Sequence, residues 1–252
     1  MSTTPAHYKF WPKRLPKTLV LPEVSLCDNL ETSARRYPNR AALVFFGTCI
    51  TYRELLQKAE RVAAFLQGLG VKKGDRVMLA MQNCPQLVIA HFGILRANAV
   101  VVPVNPMNRA EELKHYISDP AAKVAITTAD LAAEIAKASD ALPGSERLQH
   151  IIASQFADEF DAAVTGDDAP PAAWRDWLLT RHALPALQGG QAHAWADVMA
   201  GKGAPPALEV GPGDMALLPY TSGTTGLPKG CIHLHSSIMH NAITAGLWGS
   251  GS

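Results

Sequence analysis

Apolar and polar positions along the chain switch repeatedly between helical and strand-like spacing, which predicts an α/β protein. From Leu55 to Leu66, apolar residues recur at intervals of three and four, the spacing of one buried helix face. Val100–Val104 is apolar at every position, which is typical of a strand covered by helices on both sides. Because parallel strands need helical crossovers, this alternation predicts a doubly wound, mostly parallel sheet with helices on both faces.

Capping and turn residues set the boundaries of these elements. Ser25 with Asp28, and Thr51 with Glu54, have the spacing of residues that cap the first turn of a helix. Gly47 separates two short runs that indicate a hairpin. The predicted strands outside the hairpin are Arg76–Met81, Val100–Val104, Val124–Thr127, His150–Ala153 and Met215–Pro219.

Asn98 follows the helix that is predicted to begin at Pro85 and to end near Ala97. Asparagine is second only to glycine in the left-handed conformation that ends many helices. We therefore expect a positive φ at Asn98, and an Asn98→Gly change that is neutral or slightly stabilising.

Two regions depart from the alternating pattern. Residues 1–24 hold four prolines without periodicity, which predicts an extended N-terminal arm and excludes an amphipathic membrane-surface helix. Residues 154–211 are acidic and contain two Pro-Pro pairs, so we interpret them as a surface insertion with short helices near 174–181 and 194–199. Apart from this insertion, residues 25–252 are predicted to form the large α/β domain.

Composition narrows the class of protein. A net charge of +1 argues against a nucleic-acid surface, and 48% apolar residues with 18% charged residues support a sizeable core. The N-terminus lacks the apolar segment of a signal peptide, and no apolar run is long enough to span a membrane. The four cysteines are scattered, which indicates reduced, mostly buried thiols. These features predict a cytoplasmic globular protein.

The segment Thr221–Gly230 carries the clearest chemistry in the chain. Its glycines allow several backbone N–H groups to face one concavity, and its hydroxyls and lysine add donors for phosphate oxygens. The segment follows a predicted strand and precedes a helix expected near Ser236, so it forms a loop between regular elements. The candidate phosphate ligands are Thr221, Ser222, Gly223, Thr224, Thr225, Gly226 and Lys229.

Other interpretations fit this segment less well. A Walker A loop requires glycine at the position of Pro228 and Ser or Thr at the position of Gly230, so the template fails twice. The apolar flanks and the internal Pro-Lys disfavour a flexible linker. The nearby His233, His235 and His240 lack a fourth ligand with zinc spacing.

Leu217–Gly230 resembles the phosphate-loop signature of the adenylate-forming (AMP-binding) enzyme superfamily. Thr51–Leu55 with Gly74–Val77, and Arg96–Pro106, resemble two further motifs of that superfamily. The resemblance runs from about Leu26 to His235. Threonine at 224 favours the acyl-CoA synthetases, including the fatty-acid–CoA ligases, among its members.

The resemblance implies an ATP-dependent acid–thiol ligase. In that chemistry a carboxylate attacks the α-phosphate of ATP, pyrophosphate leaves, and coenzyme A then displaces AMP from the acyl-adenylate. The loop residues would contact the β- and γ-phosphates, and Thr221 would contact the accompanying Mg²⁺. His235 would form a local hydrogen bond at a helix entry.

The resemblance also implies that this chain is an N-terminal portion. Members continue past the position of Ser252 with a Thr-Glu motif for Mg²⁺, a ribose-binding aspartate, a hinge and a late lysine. We therefore expect no complete catalytic set here and no activity of the portion alone. The carboxylic acid, the thiol acceptor and the oligomeric state stay open. The alternatives are a nonribosomal-peptide-type adenylation domain, another phosphate-loop hydrolase, or a non-catalytic nucleotide-binding module.

Overall fold

Helices and strands alternate along the chain in a computed structural model that describes residues 5–221 and 226–249. The strands are β1 (Ala41–Phe45), β2 (Thr48–Thr51), β3 (Arg76–Ala80), β4 (Val100–Pro103), β5 (Val124–Thr128), β6 (His150–Ser154), β7 (Gln191–Ala194), β8 (Met215–Leu217), β9 (Tyr220–Thr221), β10 (Lys229–Gly230) and β11 (His233–Leu234). The α-helices are α1 (Leu26–Arg36), α2 (Tyr52–Gly68), α3 (Pro85–Arg96), α4 (Ala110–Ser118), α5 (Ala129–Asp140), α6 (Ala172–Leu179), α7 (Trp195–Ala200) and α8 (His235–Gly249). The elements expected from apolar spacing are present, with their ends shifted by a few residues.

Seven of the described strands form one central sheet in the order β11–β8–β4–β3–β5–β6–β7. Neighbouring strands run parallel, except that β11 is antiparallel to β8. Strands β1 and β2 form the separate hairpin predicted around Gly47. The prediction of a mostly parallel sheet is therefore confirmed.

Side chains of successive residues in the inner strands pack into two hydrophobic cores, one on each face of the sheet. Val77 and Leu79 of β3 pack in a core that includes α1, α2 and α3, whereas Met78 and Ala80 pack in a core built with α4 and α5. Side chains alternate across a strand, so a strand that is apolar at every position needs helices on both faces. The doubly wound arrangement follows directly from this pattern.

The N-terminal arm lies against the C-terminal helix. It includes a short 3-10 helix, Ala6–Phe10, and the Trp11 ring packs edge-on against Trp248 of α8 at a centroid distance of 5.6 Å. The prediction of a wholly extended arm is therefore wrong for Ala6–Phe10. Among residues 5–221 and 226–249, no helix has the length and hydropathy needed to cross a bilayer.

The region 154–211 is not entirely a surface segment. Strand β7 pairs with β6 and so extends the central sheet, and Trp195, directly after β7, is 1% exposed. The short helices expected in this region are present as α6 and α7. The interpretation of the whole region as a surface insertion therefore needs correction for residues 191–198, which complete one edge of the sheet and part of its core.

The four cysteines are free. Burial raises the pKa of Cys27 to about 12 and that of Cys84 to about 11, so both thiols stay neutral at ordinary pH. Cys49 is exposed and Cys231 is half-buried, so the expectation of burial holds for two of the four thiols.

Asn98 has the positive φ predicted for it, 62°. Its side chain has a second role that the sequence did not indicate. Asn98 Nδ2 donates to Ala207 O at 2.8 Å, and Glu209 N donates to Asn98 Oδ1 at 2.7 Å. These bonds attach the segment before β8 to the end of α3, so the expectation that glycine would serve equally well at position 98 is revised.

We expect Asn98→Gly to lower the free energy of unfolding by about 1–2 kcal/mol, because two hydrogen bonds are lost while the backbone gains at most about 1 kcal/mol. Ala121 is a matched control: its φ is 52°, it is exposed, and its methyl group makes no hydrogen bond. Ala121→Gly should raise stability by up to about 1 kcal/mol. Urea unfolding of both variants measures the difference, and equal signs for the two changes would contradict this role of the Asn98 side chain.

Candidate functional site

The loop singled out in the sequence begins at the carboxyl end of a strand in the central sheet. Strand β8 lies parallel to β4, and Leu218 N donates to Val101 O at 2.9 Å just where β8 ends. Ligands of open α/β sheets bind beyond the carboxyl ends of their strands. The topology therefore places the loop where such a sheet holds a ligand.

A short antiparallel pair, β9 with β10, closes the base of the loop. Lys229 lies opposite Thr221, Gly230 lies opposite Tyr220, and Cys231 N donates to Pro219 O at 2.8 Å. The chain then returns along β8 as β11. The strands from β8 to β11 thus form a long hairpin, and the glycine-rich segment lies in sequence between its limbs β9 and β10.

This hairpin brings two of the predicted phosphate ligands together. Thr221 and Lys229 are eight positions apart in sequence but directly opposed across the β9–β10 pair, and both are exposed. Gly226 has a φ of 135°, a backbone conformation that favours glycine. The other predicted ligands, Ser222, Gly223, Thr224 and Thr225, lie outside the described residues.

Helix α4 contacts the hairpin through residues that the sequence did not single out. His115 Nε2 lies 2.6 Å from Pro228 O on the returning limb. Tyr220 OH donates to Asp119 Oδ2 at 2.5 Å. Burial, and then the hydrogen bond to Asp119, raise the pKa of Tyr220 well above its ordinary value, so the phenol remains a neutral donor.

A groove of about 770 Å³ is lined by the C-terminal end of α4 and by the returning limb of the hairpin. Its charged and titratable lining residues are Arg76, His115, Asp119 and Lys229. Arg76 Nε donates to Pro120 O at 2.6 Å, which fixes one side of the groove. The groove beside the phosphate loop therefore contains two cationic side chains, Arg76 and Lys229, among largely apolar neighbours.

His235 begins α8 and is fully buried. Its Nδ1 accepts a hydrogen bond from Leu26 N at 3.1 Å, so it connects the end of the hairpin to the first turn of α1. The predicted hydrogen-bonding role is present, but its partner is distant in sequence rather than local. Within residues 5–221 and 226–249, no three or more His, Cys, Asp or Glu side chains are grouped as a metal site would require.

The partly buried His91 provides a test of this region in solution. Burial, and then the charge of His235, lower the pKa of His91 from 6.5 to about 4. The unfolded chain therefore binds a proton more readily, so the stability tied to a neutral His91 is present above pH 6.5 and is lost as the pH falls towards 4. Between pH 7 and pH 4, we expect the free energy of unfolding of His91→Gln to fall by about 2–3 kcal/mol less than that of the wild-type protein.

The measurement is the free energy of unfolding in urea at several pH values between 7 and 4. His182→Gln is the control, because His182 is exposed. Its free energy of unfolding should fall with pH as much as that of the wild-type protein. A His91→Gln variant with the wild-type pH dependence would contradict the burial of a neutral imidazole at this position.

Comparison with known proteins supports the sequence interpretation. The family model described as "AMP-binding enzyme" matches residues 30–250. The long-chain-fatty-acid–CoA ligase of Escherichia coli O6:H1 is 33% identical over 246 residues, covering 92% of this chain and 41% of the relative. The salicyl-AMP ligase / salicyl-S-ArCP synthetase of Mycobacterium tuberculosis is 34% identical over 228 residues, covering 86% of this chain and 34% of the relative.

Solved structures agree on the fold. The anthranilate CoA ligase AuaEII, in complex with anthranoyl-AMP, superimposes with a TM-score of 0.67 at 24% identity, over 92% of this chain and 38% of that structure. The chain thus spans less than half the length of the relatives that it matches. Because the family model matches residues 30–250, nearly the whole sequence, this chain belongs to the AMP-binding enzyme family.

Proposed function

We propose that this chain is the N-terminal part of an ATP-dependent acid–CoA ligase that activates a carboxylic acid, in particular a fatty acid, as an acyl-adenylate. The observation that carries the proposal is the opposition of Thr221 and Lys229 at the base of a glycine-rich loop beyond strand β8. The long-chain-fatty-acid–CoA ligase relative supports the choice of substrate and of coenzyme A as the thiol acceptor. The four free cysteines support a cytoplasmic location.

The loop would stabilise the charge that develops on pyrophosphate. When a carboxylate attacks the α-phosphate, the bond to the bridging oxygen breaks and negative charge accumulates on the departing β- and γ-phosphates. Lys229 supplies a mobile positive charge, and Thr221 supplies a hydroxyl donor on the opposite limb. Preorganised donors of this kind act most strongly on charge that is developing in the transition state.

Thr221 is also our candidate contact for Mg²⁺ bound to the triphosphate. Its hydroxyl oxygen is a hard ligand of the type that Mg²⁺ prefers, and its nearest described partner is the weak donor Cys231 Sγ at 3.8 Å. Bound Mg²⁺ would supply further neutralisation of the phosphate charge. The phosphates themselves and residues elsewhere in the complete enzyme would provide its other ligands.

The proposal is tested with the full-length protein, ATP, coenzyme A and fatty acids of graded chain length. We expect AMP, pyrophosphate and an acyl-CoA in equal amounts, identified by mass. A product bound to a carrier protein, with none on coenzyme A, would favour the nonribosomal-peptide-type alternative. ADP and orthophosphate as products would instead indicate another phosphate-loop hydrolase.

The N-terminal part alone should not catalyse adenylation. Residues 1–252 supply the phosphate loop, but groups for the ribose and the transferring α-phosphate are expected from the rest of the enzyme. We therefore expect no carboxylate-dependent exchange of pyrophosphate into ATP by residues 1–252, measured beside the full-length protein as a positive control. Exchange clearly above a reaction without protein would contradict this expectation.

A further inference from the structure

Helix α4 and Asp119, the residue that caps its C-terminal end, are bonded to both limbs of the hairpin that carries the phosphate loop. On the leading limb, Tyr220 OH donates to Asp119 Oδ2 at 2.5 Å. On the returning limb, His115 Nε2 lies 2.6 Å from Pro228 O, and since a carbonyl can only accept, the imidazole N–H is the donor. His115 and Asp119 are four positions apart, and Asp119 keeps helical backbone angles as the C-cap, so the two residues lie one turn apart on the same side of the helix.

Ring packing reinforces these two bonds. The Tyr220 ring lies edge-on to His115, with centroids 5.5 Å apart, and edge-on to Tyr116 at 5.0 Å. It also covers Gly230 on the opposite strand, where an added Cβ would lie 3.4 Å from Tyr220 Cζ and 3.0 Å from Leu218 Cδ1. The base of the loop is therefore fixed by aromatic contacts as well as by hydrogen bonds.

We propose that His115 and Asp119 are positioning residues that hold the two limbs of the phosphate loop in the position required to bind the polyphosphate of ATP. This inference rests on the proposed function. Glycine-rich backbone loses much conformational entropy when it closes on a ligand, and fixing both limbs in advance removes part of that cost from binding. His115 and Asp119 act through Pro228 and Tyr220, and neither is assigned a contact with substrate.

The kinetic test compares variants that remove a bond with one that keeps it. His115→Leu and Tyr220→Phe should each lower kcat/KM for ATP by about fivefold to tenfold in the full-length protein, because each removes one hydrogen bond of the loop base. The KM for the carboxylic acid should not change. His115→Gln can place an amide N–H near the position of Nε2 and should recover most of the loss.

A second measurement does not depend on activity. Trypsin cleaves after lysine, and the bond following Lys229 lies on the exposed pair β9–β10. We expect His115→Leu and Tyr220→Phe to accelerate cleavage at Lys229 several-fold, while cleavage at exposed Lys202 stays at the wild-type rate and reports that the rest of the protein is folded.

The outcomes separate the two proposals. Wild-type cleavage at Lys229 together with wild-type kcat/KM in both variants would overturn the positioning role. Unchanged kinetics with faster cleavage would also overturn it, because the anchors would then be structural only. A wild-type enzyme without acid-dependent turnover would contradict the proposed function, whereas the rate of cleavage at Lys229 would still show whether α4 holds the loop.

Discussion

Replacing Lys229 with alanine in the full-length protein is expected to lower kcat/KM for ATP by about tenfold to hundredfold. A hydrogen bond to a charged group contributes about 1.5–3 kcal/mol, which corresponds to this range of rates. Lys229 lies on an exposed strand opposite Thr221, so its removal should disturb the charge at the phosphates more than the fold. The measurement is initial-rate kinetics at saturating and subsaturating ATP.

Lys202→Ala is the matched control for this prediction. Lys202 is also exposed, but it lies before β8 and outside the phosphate loop, so its loss should leave both kcat and KM unchanged. Wild-type kinetics in Lys229→Ala at both ATP concentrations would show that this lysine is not a phosphate ligand.

The largest expected effect on stability comes from Glu159, which has a buried carboxylate. Lys58 Nζ donates to Glu159 Oε1 and Oε2 at 3.0 and 2.8 Å, and Trp195 Nε1 donates to Oε1 at 3.1 Å. Removing the carboxylate leaves a buried indole N–H and a partly buried ammonium without their partner. We expect Glu159→Ala to lower the free energy of unfolding by about 3 kcal/mol.

Glu111→Ala is the matched control, because Glu111 also pairs with a lysine at 2.8 Å, but its side chain is 86% exposed. Exposed pairs contribute little, so this variant should lose less than about 0.5 kcal/mol. The double variant Lys58→Met, Glu159→Leu removes both charges and should recover part of the loss. Equal losses for Glu159→Ala and Glu111→Ala in urea unfolding would contradict the role of burial.

The sheet could be predicted because its inner strands are mostly apolar runs between capped helices. Val100–Val104 and the stripe from Leu55 to Leu66 leave few alternatives to buried elements. Strand β7 was missed because Gln191–Ala194 has no β-branched or aromatic residue and lies at the sheet edge. Strands β9, β10 and β11 have two residues each, too few to show a period.

Only the site residues that belong to one contiguous sequence motif could be predicted. Thr221, Gly226 and Lys229 belong to one segment whose composition indicates phosphate binding. His115 and Asp119 contact that segment from more than a hundred residues away, and a histidine on a helix has no distinguishing local pattern. The same holds for Lys58 and Glu159, whose pairing depends on how α2 packs against the chain after β6. Such contacts are consequences of topology and have no local sequence signature.

The central claim is that the loop between Thr221 and Lys229 serves acid activation by adenylation. Its most direct test is the exchange of labelled pyrophosphate into ATP by the full-length protein, with and without a fatty acid. The account predicts label in ATP only when the acid is present, with slower exchange in Lys229→Ala. Exchange that does not depend on any carboxylic acid, or its absence with every acid tested while ATP is cleaved to ADP, would contradict it.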